Sequence, residues 1–321
     1  MSDIIIYGAG NKGKAYLSLL DDLGLGNKVK YYCDKKADFV SKVQGIPVIN
    51  YKEAKSKNLP FVVAIRKENQ NDVVRLLLND GMFVYRDLDS LVVDELKILS
   101  RTDYERRICK AAHEDAMEDY YESSDTEEGL AFFWKDGECK GLFDQLDLSN
   151  VVELACGRGR HVPLYAEKSE HVTLVDILDK NIEFCKQRFS GYGNISYLVN
   201  NGRDLSALKS DAYSALFTYD SMVHFELMDI ASYLDETYRI LEPGGMALFH
   251  HSNNNSDYKA SYDNAIEARS FMSKNLFAYL AYRSGFEVLE QHVVDWVVPD
   301  LDCLTLVMKP RGKNGNESFL L

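Results

Sequence analysis

Apolar positions along the chain fall into short unbroken runs, separated by stretches where they recur every three or four residues. In the first ninety residues the runs cover 4–7, 29–33, 60–65 and 82–85, and helical spacing covers 15–23 and 70–78. Short apolar runs without alternation suit strands buried on both faces, and their alternation with helices predicts a mostly parallel α/β sheet. Residues 91–148 differ: 91–99 is apolar and acidic, 103–121 has helical spacing, and 122–128 is an acidic turn expected to be solvated. The first pattern then resumes, with strands predicted over 151–155, 172–176, 195–199, 212–219 and 246–249. Helices are predicted over 161–167, 179–189, 228–240 and 274–283. Ser273 is placed to cap the last of these, and Gly285 to end it in the left-handed conformation. Two strands, 286–291 and 303–308, close the pattern around a loop holding Trp296 and Pro299. Residues 311–321 show no pattern and are expected to form a disordered tail.

Two strand-to-helix turns carry candidate chemistry. A glycine-rich turn at a helix N-terminus lets a nucleotide-like ligand approach the backbone, and free N–H groups there favour an anion. The first turn is Gly8-Ala9-Gly10-Asn11-Lys12-Gly13, with Asp34 ending the next strand twenty-one residues past Gly13. The second runs from Glu153 through Ala155 and Gly157 to Gly159, with Asp176 ending the next strand seventeen residues past Gly159. A carboxylate at that point is placed to accept from ribose hydroxyls. Turn and acid alone do not separate a nicotinamide site from an S-adenosylmethionine site.

Further matches separate them. Glu153-x-Ala155-x-Gly157-x-Gly159 resembles the first motif of class I S-adenosylmethionine-dependent methyltransferases, with Ala155 where glycine is usual. That exchange matters little if the backbone there needs no positive φ. Asp176, followed by Ile177, resembles the ribose-binding acid. Asn201-Gly202-Arg203-Asp204-Leu205 resembles the loop whose acid reaches the adenine amino group. Phe217-Thr218-Tyr219-Asp220-Ser221 resembles the fourth strand and its active-site end, and Leu241-Glu242-Pro243-Gly244-Gly245 the turn before the fifth. These signals fall in family order over 149–309, about half of the chain. The resemblance implies a seven-stranded Rossmann-like fold and S-adenosyl-L-methionine as cofactor. It implies cofactor contacts at Glu153, Ala155, Gly157, Gly159, Asp176, Ile177, Arg203, Asp204, Leu205, Asp220 and Ser221. It also implies that the segment ahead of the first strand forms a helical cover, to which Phe132, Phe133 and Trp134 are expected to contribute packing.

The first ninety residues resemble the small Rossmann-like domains attached to bacterial sugar-modifying enzymes. The matching residues are Gly8-Ala9-Gly10-x-x-Gly13, Cys33-Asp34 and Gly45-Ile46-Pro47-Val48. By this likeness Gly8, Gly10, Asn11, Lys12, Gly13 and Asp34 form a ligand loop for a nucleotide, sugar nucleotide or glycolipid pyrophosphate. The alternative is a docking domain whose glycines only make the turn. The expected architecture is therefore α/β with two doubly wound domains. It comprises a half-Rossmann accessory domain at 1–90, a helical linker and cover at 91–148, the methyltransferase domain at 149–310, and a tail.

Composition narrows the partners. A net charge of −13 and a pI near 5.1 argue against a general nucleic-acid or anionic-membrane binder. No run of eighteen apolar residues and no secretory leader pattern occurs, so the expectation is a cytoplasmic protein without a membrane span. Six scattered cysteines, with no C-x-x-C, read as reduced buried thiols. No set of carboxylates suggests a metal near Asp220, and none is expected. Composition leaves open whether the chain forms a homo-oligomer.

Ligands of such sheets bind beyond the carboxyl ends of the strands, which draws attention to Asp220, Ser221 and His224 after one strand and to His250, His251 and Asn253 after the next. Methyl transfer to an alcohol needs alignment and removal of the hydroxyl proton. A histidine base, His251 or His224, with Asp220 and Asn253 as orienting groups, meets that need. Strand alternation lets only one of His250 and His251 face inward, and His251, further past the sheet edge, is preferred. Residues 250–253, 269–272, 295–296 and 301–304 resemble a bacterial surface-polysaccharide subgroup of these methyltransferases. With the sugar-enzyme likeness of the front domain, this points to O-methylation of a saccharide or sugar-linked small molecule in polysaccharide biosynthesis. Arg158, Arg160 and Arg203 are candidates for a substrate phosphate. Alternatives are N-, phosphate or phosphoramidate methylation, a nicotinamide-dependent oxidoreductase working through Gly8–Gly13, and a non-catalytic binding protein.

Overall fold

The computed structural model describes residues 1–115, 118–134 and 138–311, so residues 312–321 of the expected tail lie outside the described residues. The chain divides into two compact units: Met1–Asp119 with Tyr262–Asn264, and Tyr120–Ser261 with Ala265–Leu321.

The first unit holds β1 (Ile4–Tyr7), α1 (Asn11–Asp22), β2 (Val29–Cys33), β3 (Lys42–Val43), β4 (Ile46–Ile49), α2 (Tyr51–Ser56), β5 (Phe61–Val63), α3 (Lys67–Asn79), β6 (Val84–Tyr85) and α4 (Arg101–Asp115). Its sheet runs β3-β4-β2-β1-β5-β6, with only the β3–β4 pair antiparallel. Strands flank β1 on both sides, so this unit is more than the expected half-Rossmann and has its own reversal of strand order between β1 and β5. Side chains of β1 alternate between two layers, as the pleat requires. Ile4 and Ile6 pack with Tyr16, Leu19 and Leu20, and Ile5 with Phe61, Val63 and Leu77. α4 joins the first layer through Tyr104, Ile108 and Ala111, spaced four and three apart on one face. The 91–148 stretch is therefore not one linker, because its first part belongs to this core.

A short piece of later sequence completes the first unit. Asp263 is buried, accepts hydrogen bonds from the Tyr16 hydroxyl (3.1 Å) and the Tyr104 hydroxyl, and lies 3.9 Å from Lys12 Nζ. Lys12 also donates to the Asp263 carbonyl at 3.0 Å.

The second unit begins within α5 (Glu118–Ser124) and continues through α6 (Glu127–Trp134), α7 (Glu138–Phe143), β7 (Asn150–Leu154), α8 (Val162–Tyr165), β8 (His171–Asp176), α9 (Asp179–Arg188), β9 (Ile195–Val199), β10 (Tyr213–Thr218), α10 (Leu227–Ile240), β11 (Leu241–Ser252), α11 (Lys274–Arg283), β12 (Glu287–Trp296) and β13 (Val298–Met308). Its seven strands lie in the order β12-β13-β11-β10-β7-β8-β9. The five strands from β11 to β9 are parallel and the β13 and β12 pairings are antiparallel, as the motifs imply. One face packs Val151, Leu174, Phe217 and Leu248, and the other packs Val152, Leu154, Val175, Leu216 and Phe249. Strand order reverses between β7 and β10, which fixes where a ligand cleft opens.

Ser273 caps α11, its Oγ accepting from Leu276 N at 3.2 Å, and Gly285 follows with φ +103°. The closing pair differs from expectation. β12 and β13 turn directly at Val297 (φ +58°), so Trp296 and Pro299 lie in strands, not in a loop. The sequence hides this because Pro299, Asp300 and the buried Asp302 read as loop residues. Among the described residues no helix is long and apolar enough to cross a membrane.

Candidate active site

The turn after β7 winds through left-handed backbone at Ala155, Gly157 and Gly159, with φ of +56°, +55° and +70°. Ala155 therefore does stand where positive φ is needed, and its Cβ costs about 1 kcal/mol in that conformation. A Cβ on Gly159 would meet the Phe189 ring at 2.5 Å, and one on Gly157 would meet Tyr121 Cε1 at 3.1 Å. Glu153, expected at the cofactor, points into the layer under the turn, where its Oε2 accepts from Tyr165 OH at 2.7 Å. Burial pushes its carboxyl up to about 7.

Asp176, at the carboxyl end of β8, is tied to this turn. Its Oδ2 accepts from Gly157 N (2.8 Å), and its Oδ1 from Leu178 N (2.8 Å) and Asn181 Nδ2 (3.2 Å). Burial raises the carboxyl to about 6 even though these donors, with the Ile177 amide, oppose it. Tyr121 of α5 closes over the same place. Its hydroxyl accepts from Asn181 Nδ2 at 3.0 Å, and the Arg158 guanidinium lies 4.8 Å from its ring and 4.8 Å from that of Phe184. A buried acid joined to a turn that has no room for a side chain fits an adenosyl group. Asp176 would hold its ribose, and Gly157 and Gly159 would leave space for its amino-acid end.

The 201–205 loop is folded on itself. Asp204 accepts from Asn201 Nδ2 (2.6 Å) and from Ser206 N and Oγ (3.1 and 2.7 Å), bonds that hold its carboxyl below the usual range. The Leu205 amide donates to Glu236 Oε2 at 3.0 Å, and Arg203 is exposed. An adenine contact from this loop would have to share these partners.

Asp220, just past β10, also has left-handed backbone, at φ +57°. Its Oδ2 accepts from Arg160 Nη2 (3.1 Å) and from the Tyr120 hydroxyl. Burial alone would raise this carboxyl, but the Arg160 guanidinium, helped by the Tyr120 hydrogen bond, holds it below its ordinary value. Ser221 Oγ donates to the Ala155 carbonyl (3.3 Å), which links the two strand ends across the reversal of strand order.

The histidines divide. His250 faces Asp220, its Nδ1 accepting from the Asp220 amide at 3.0 Å and its ring stacked on Tyr219 at 4.7 Å. His251 turns to the other layer, stacked on Phe277 at 3.8 Å, with its ring nitrogens 2.8 Å from Ser252 O and from Thr305 Oγ1. Burial drops its imidazole to about 3. Strand alternation does send only one of the pair inward, but β11 runs straight through both, and the inward one is His250. Asn253 is also elsewhere. Its Oδ1 accepts from Lys274 N and its Nδ2 donates to Asp300 O, which ties the start of α11 to β13. His224 lies in a single helical turn after Asp220, with Nδ1 2.9 Å from Ala268 O.

Sequence reasoning passed over Tyr120 and Tyr121. The signal was present as two adjacent aromatics in an otherwise acidic, polar helix. Phe133 and Trp134 pack as expected, against Phe143 and His161, while the side chain of Phe132 lies outside the described residues. Trp134 Nε1 and Arg160 Nε approach the two ring nitrogens of His161 at 3.0 and 3.3 Å. A neutral imidazole accepts at one nitrogen only, so the shorter contact is the hydrogen bond.

In the first unit, Gly8 (φ +113°) and Gly13 are demanded by packing, since added Cβ atoms would lie 2.5 Å from Ala64 O and 2.1 Å from Gly8 O. Gly10 faces open space, and Asn11 next to it is exposed. Asp34 accepts from the Ala9 and Lys36 amides, both at 2.9 Å, and Lys12 meets Asp263.

A family profile described as a methyltransferase domain matches residues 151–245. YqeM of Bacillus subtilis (strain 168), provisionally called a methyltransferase, is 26% identical over 100 residues, a match that covers 31% of this chain and 40% of YqeM. The structure of an S-adenosylmethionine-dependent methyltransferase from Mesorhizobium loti aligns with TM-score 0.43 and 17% identity, over 54% of this chain and 98% of that one. One from Aquifex aeolicus aligns with TM-score 0.45 and 14% identity, over 60% and 97%. Residues 151–245 match a methyltransferase domain, and the glycine turn, the tied acid and the sheet order described above fit the class I S-adenosylmethionine-dependent methyltransferase fold.

Proposed function

We propose that the protein transfers the methyl group of S-adenosylmethionine to a hydroxyl of a saccharide or sugar-linked small molecule, with His224 as the general base and Asp220 as the group that orients the acceptor. The observation that carries this reading is the place of both residues just beyond β10, with Asp220 held by Arg160 and His224 in the helical turn that follows. His224 Nδ1, 2.9 Å from a carbonyl that can only accept, carries the ring proton in the neutral imidazole, which makes Nε2 the basic nitrogen. Asp220, held ionised by Arg160, is a poor base at neutral pH and a good acceptor for a substrate hydroxyl.

When bound, the cofactor supplies an electrophilic methyl on a sulfonium. Gly157, Gly159 and Asp176 hold it in place, and Tyr120 and Tyr121 keep bulk water from the turn. The protein's remaining work is alignment and proton removal. A sugar acceptor is favoured by the Asp220 carboxylate beyond the strand ends, since a carboxylate suits hydroxyls. A phosphate acceptor is less favoured, because Arg160 is committed to Asp220 and Arg158 is stacked on Tyr121 and Phe184.

The test is transfer of labelled methyl from S-adenosylmethionine to a panel of nucleotide sugars and methyl glycosides, alongside amine and phosphate acceptors. Label is expected in sugar O-methyl groups, and His224→Ala is expected to lower kcat by roughly 100-fold or more. Label only in amines or phosphates, or an unchanged kcat for that variant, would contradict the reading.

A further inference from the structure

Behind Asp220 lies a chain of buried polar groups that an open cleft does not require. Asp302, on β13, is fully buried, and both of its oxygens are engaged by Arg269, with Oδ1 receiving Nε at 3.0 Å and Oδ2 receiving Nη2 at 2.7 Å. Oδ2 also lies 3.2 Å from His250 Nε2. Antiparallel register sets Asp302 opposite Ser252, and so diagonally across the same sheet face from His250. Arg269 is itself held, by the Glu267 carbonyl at 3.1 Å and by the Trp296 ring 5.0 Å from its guanidinium carbon.

The far end of the chain determines the proton on His250. An amide N–H can only donate, so Nδ1, which faces the Asp220 amide at 3.0 Å, must present its lone pair. Nε2 then carries the hydrogen and directs it to the Asp302 carboxylate, which two guanidinium N–H groups keep as an acceptor. The series ends on a backbone amide whose residue sits at φ +57°, a left-handed conformation uncommon outside glycine though more accessible to Asp than to most residues.

We propose that Arg269, Asp302 and His250 are positioning residues, which fix the tautomer of His250 so that its Nδ1 pins the Asp220 amide and thereby aims the Asp220 carboxylate at the acceptor. None of the three touches substrate. That carboxylate meets Arg160 and Tyr120 from this backbone conformation. The proposal rests on the reading that Asp220 orients the acceptor.

Its first test does not involve turnover. In the folded protein with S-adenosylhomocysteine bound, long-range proton–nitrogen correlation spectra should show His250 protonated at Nε2 and bare at Nδ1, and the Asp220 amide should be protected from exchange. Asp302→Asn can turn its amide toward Nε2 and favour the opposite tautomer. The Asp220 amide should then shift and lose protection, while S-adenosylhomocysteine affinity stays within about two-fold of wild type. Protonation at Nδ1 in the wild type, or an Asp220 amide unmoved by Asp302→Asn, would overturn the proposal.

The second test is transfer to whichever sugar of the panel turns over fastest. His250→Leu and Asp302→Asn should each lower kcat by roughly 10- to 100-fold with little change in KM for S-adenosylmethionine. His250→Asn, which keeps an acceptor atom near the Nδ1 position, should recover at least part of the loss seen in His250→Leu. If Asp220→Asn leaves kcat unchanged, the functional reading fails and the tautomer measurements still decide this proposal. If Asp220→Asn lowers kcat and the folded His250 and Asp302 variants do not, the proposal alone fails.

Discussion

Glu153 and Asp176 are both carboxyls raised by burial, and they differ in what can relieve them. Glu153 has an ordinary value of 4.5 and rises to about 7 in the fold, so its ionisation works against the folded state. The penalty is absent below pH 4.5, grows as pH rises through the interval, and is complete above about 7. Glu153→Gln keeps an acceptor for Tyr165 without the charge. Chemical denaturation should show the variant gaining on wild type between pH 5 and pH 8, by roughly 3 kcal/mol at the upper end. A constant difference across that range would mean that the carboxyl titrates normally. His251 gives an opposite kind of expectation. Its ring is stacked and doubly hydrogen-bonded in the core, so His251→Ala should destabilise by about 2–4 kcal/mol and leave S-adenosylhomocysteine affinity unchanged. Individual residues were only partly legible in the sequence. The acid at 176 could be read because a strand end and a glycine turn fix its neighbourhood. The choice between His250 and His251 could not, since it depends on the phase of β11, and β11 continues three residues further than its apolar run. The strain at Ala155 was also hidden, because the sequence shows which residue stands there but not its φ.

At the scale of elements, α5 is the least expected contributor. Its second half falls in the acidic 122–128 stretch expected to be solvated, yet in its first half Tyr120 reaches Asp220 and Tyr121 lies over Gly157. Tyr121→Ala should weaken S-adenosylhomocysteine binding by about five-fold, in keeping with an aromatic contact of roughly 1 kcal/mol. Calorimetry checks this, and tighter binding would mean that the ring fills the space the donor needs. Most strands were legible because unbroken apolar runs are a strong signal. β9 and α11 fall on their predicted bounds, and Ser273 and Gly285 mark the ends of α11. The β12–β13 hairpin was not legible as a tight turn. Pro299 and the buried Asp302 look like loop residues until the chain Arg269–Asp302–His250 shows what that acid satisfies.

At the scale of the molecule, each unit has its own core, and the turn proposed to hold the methyl donor lies in the second. Ligand stabilisation should therefore appear there, about 2.7 kcal/mol at a free concentration one hundred times Kd. The first unit has a different sensitivity. Asp263→Ala would leave the buried Tyr16 and Tyr104 hydroxyls and Lys12 without their shared carboxylate, at a cost of about 1–3 kcal/mol. Hydrogen exchange should show this loss in β1, α1 and α4, with protection of the β7–β8 pair unchanged. The sequence concealed the contact because the acid lies more than 150 residues from all three of its partners. The account as a whole depends on Asp176 gripping the donor's ribose as an anion. S-adenosylhomocysteine should therefore be titrated calorimetrically into wild type and Asp176→Asn from pH 5 to pH 8. In the wild type, affinity is expected to rise as pH passes through about 6 and then level off. The variant should bind at least ten-fold more weakly at pH 8, with that dependence gone. No binding to the wild type, or equal affinity and the same pH dependence in the variant, would contradict it.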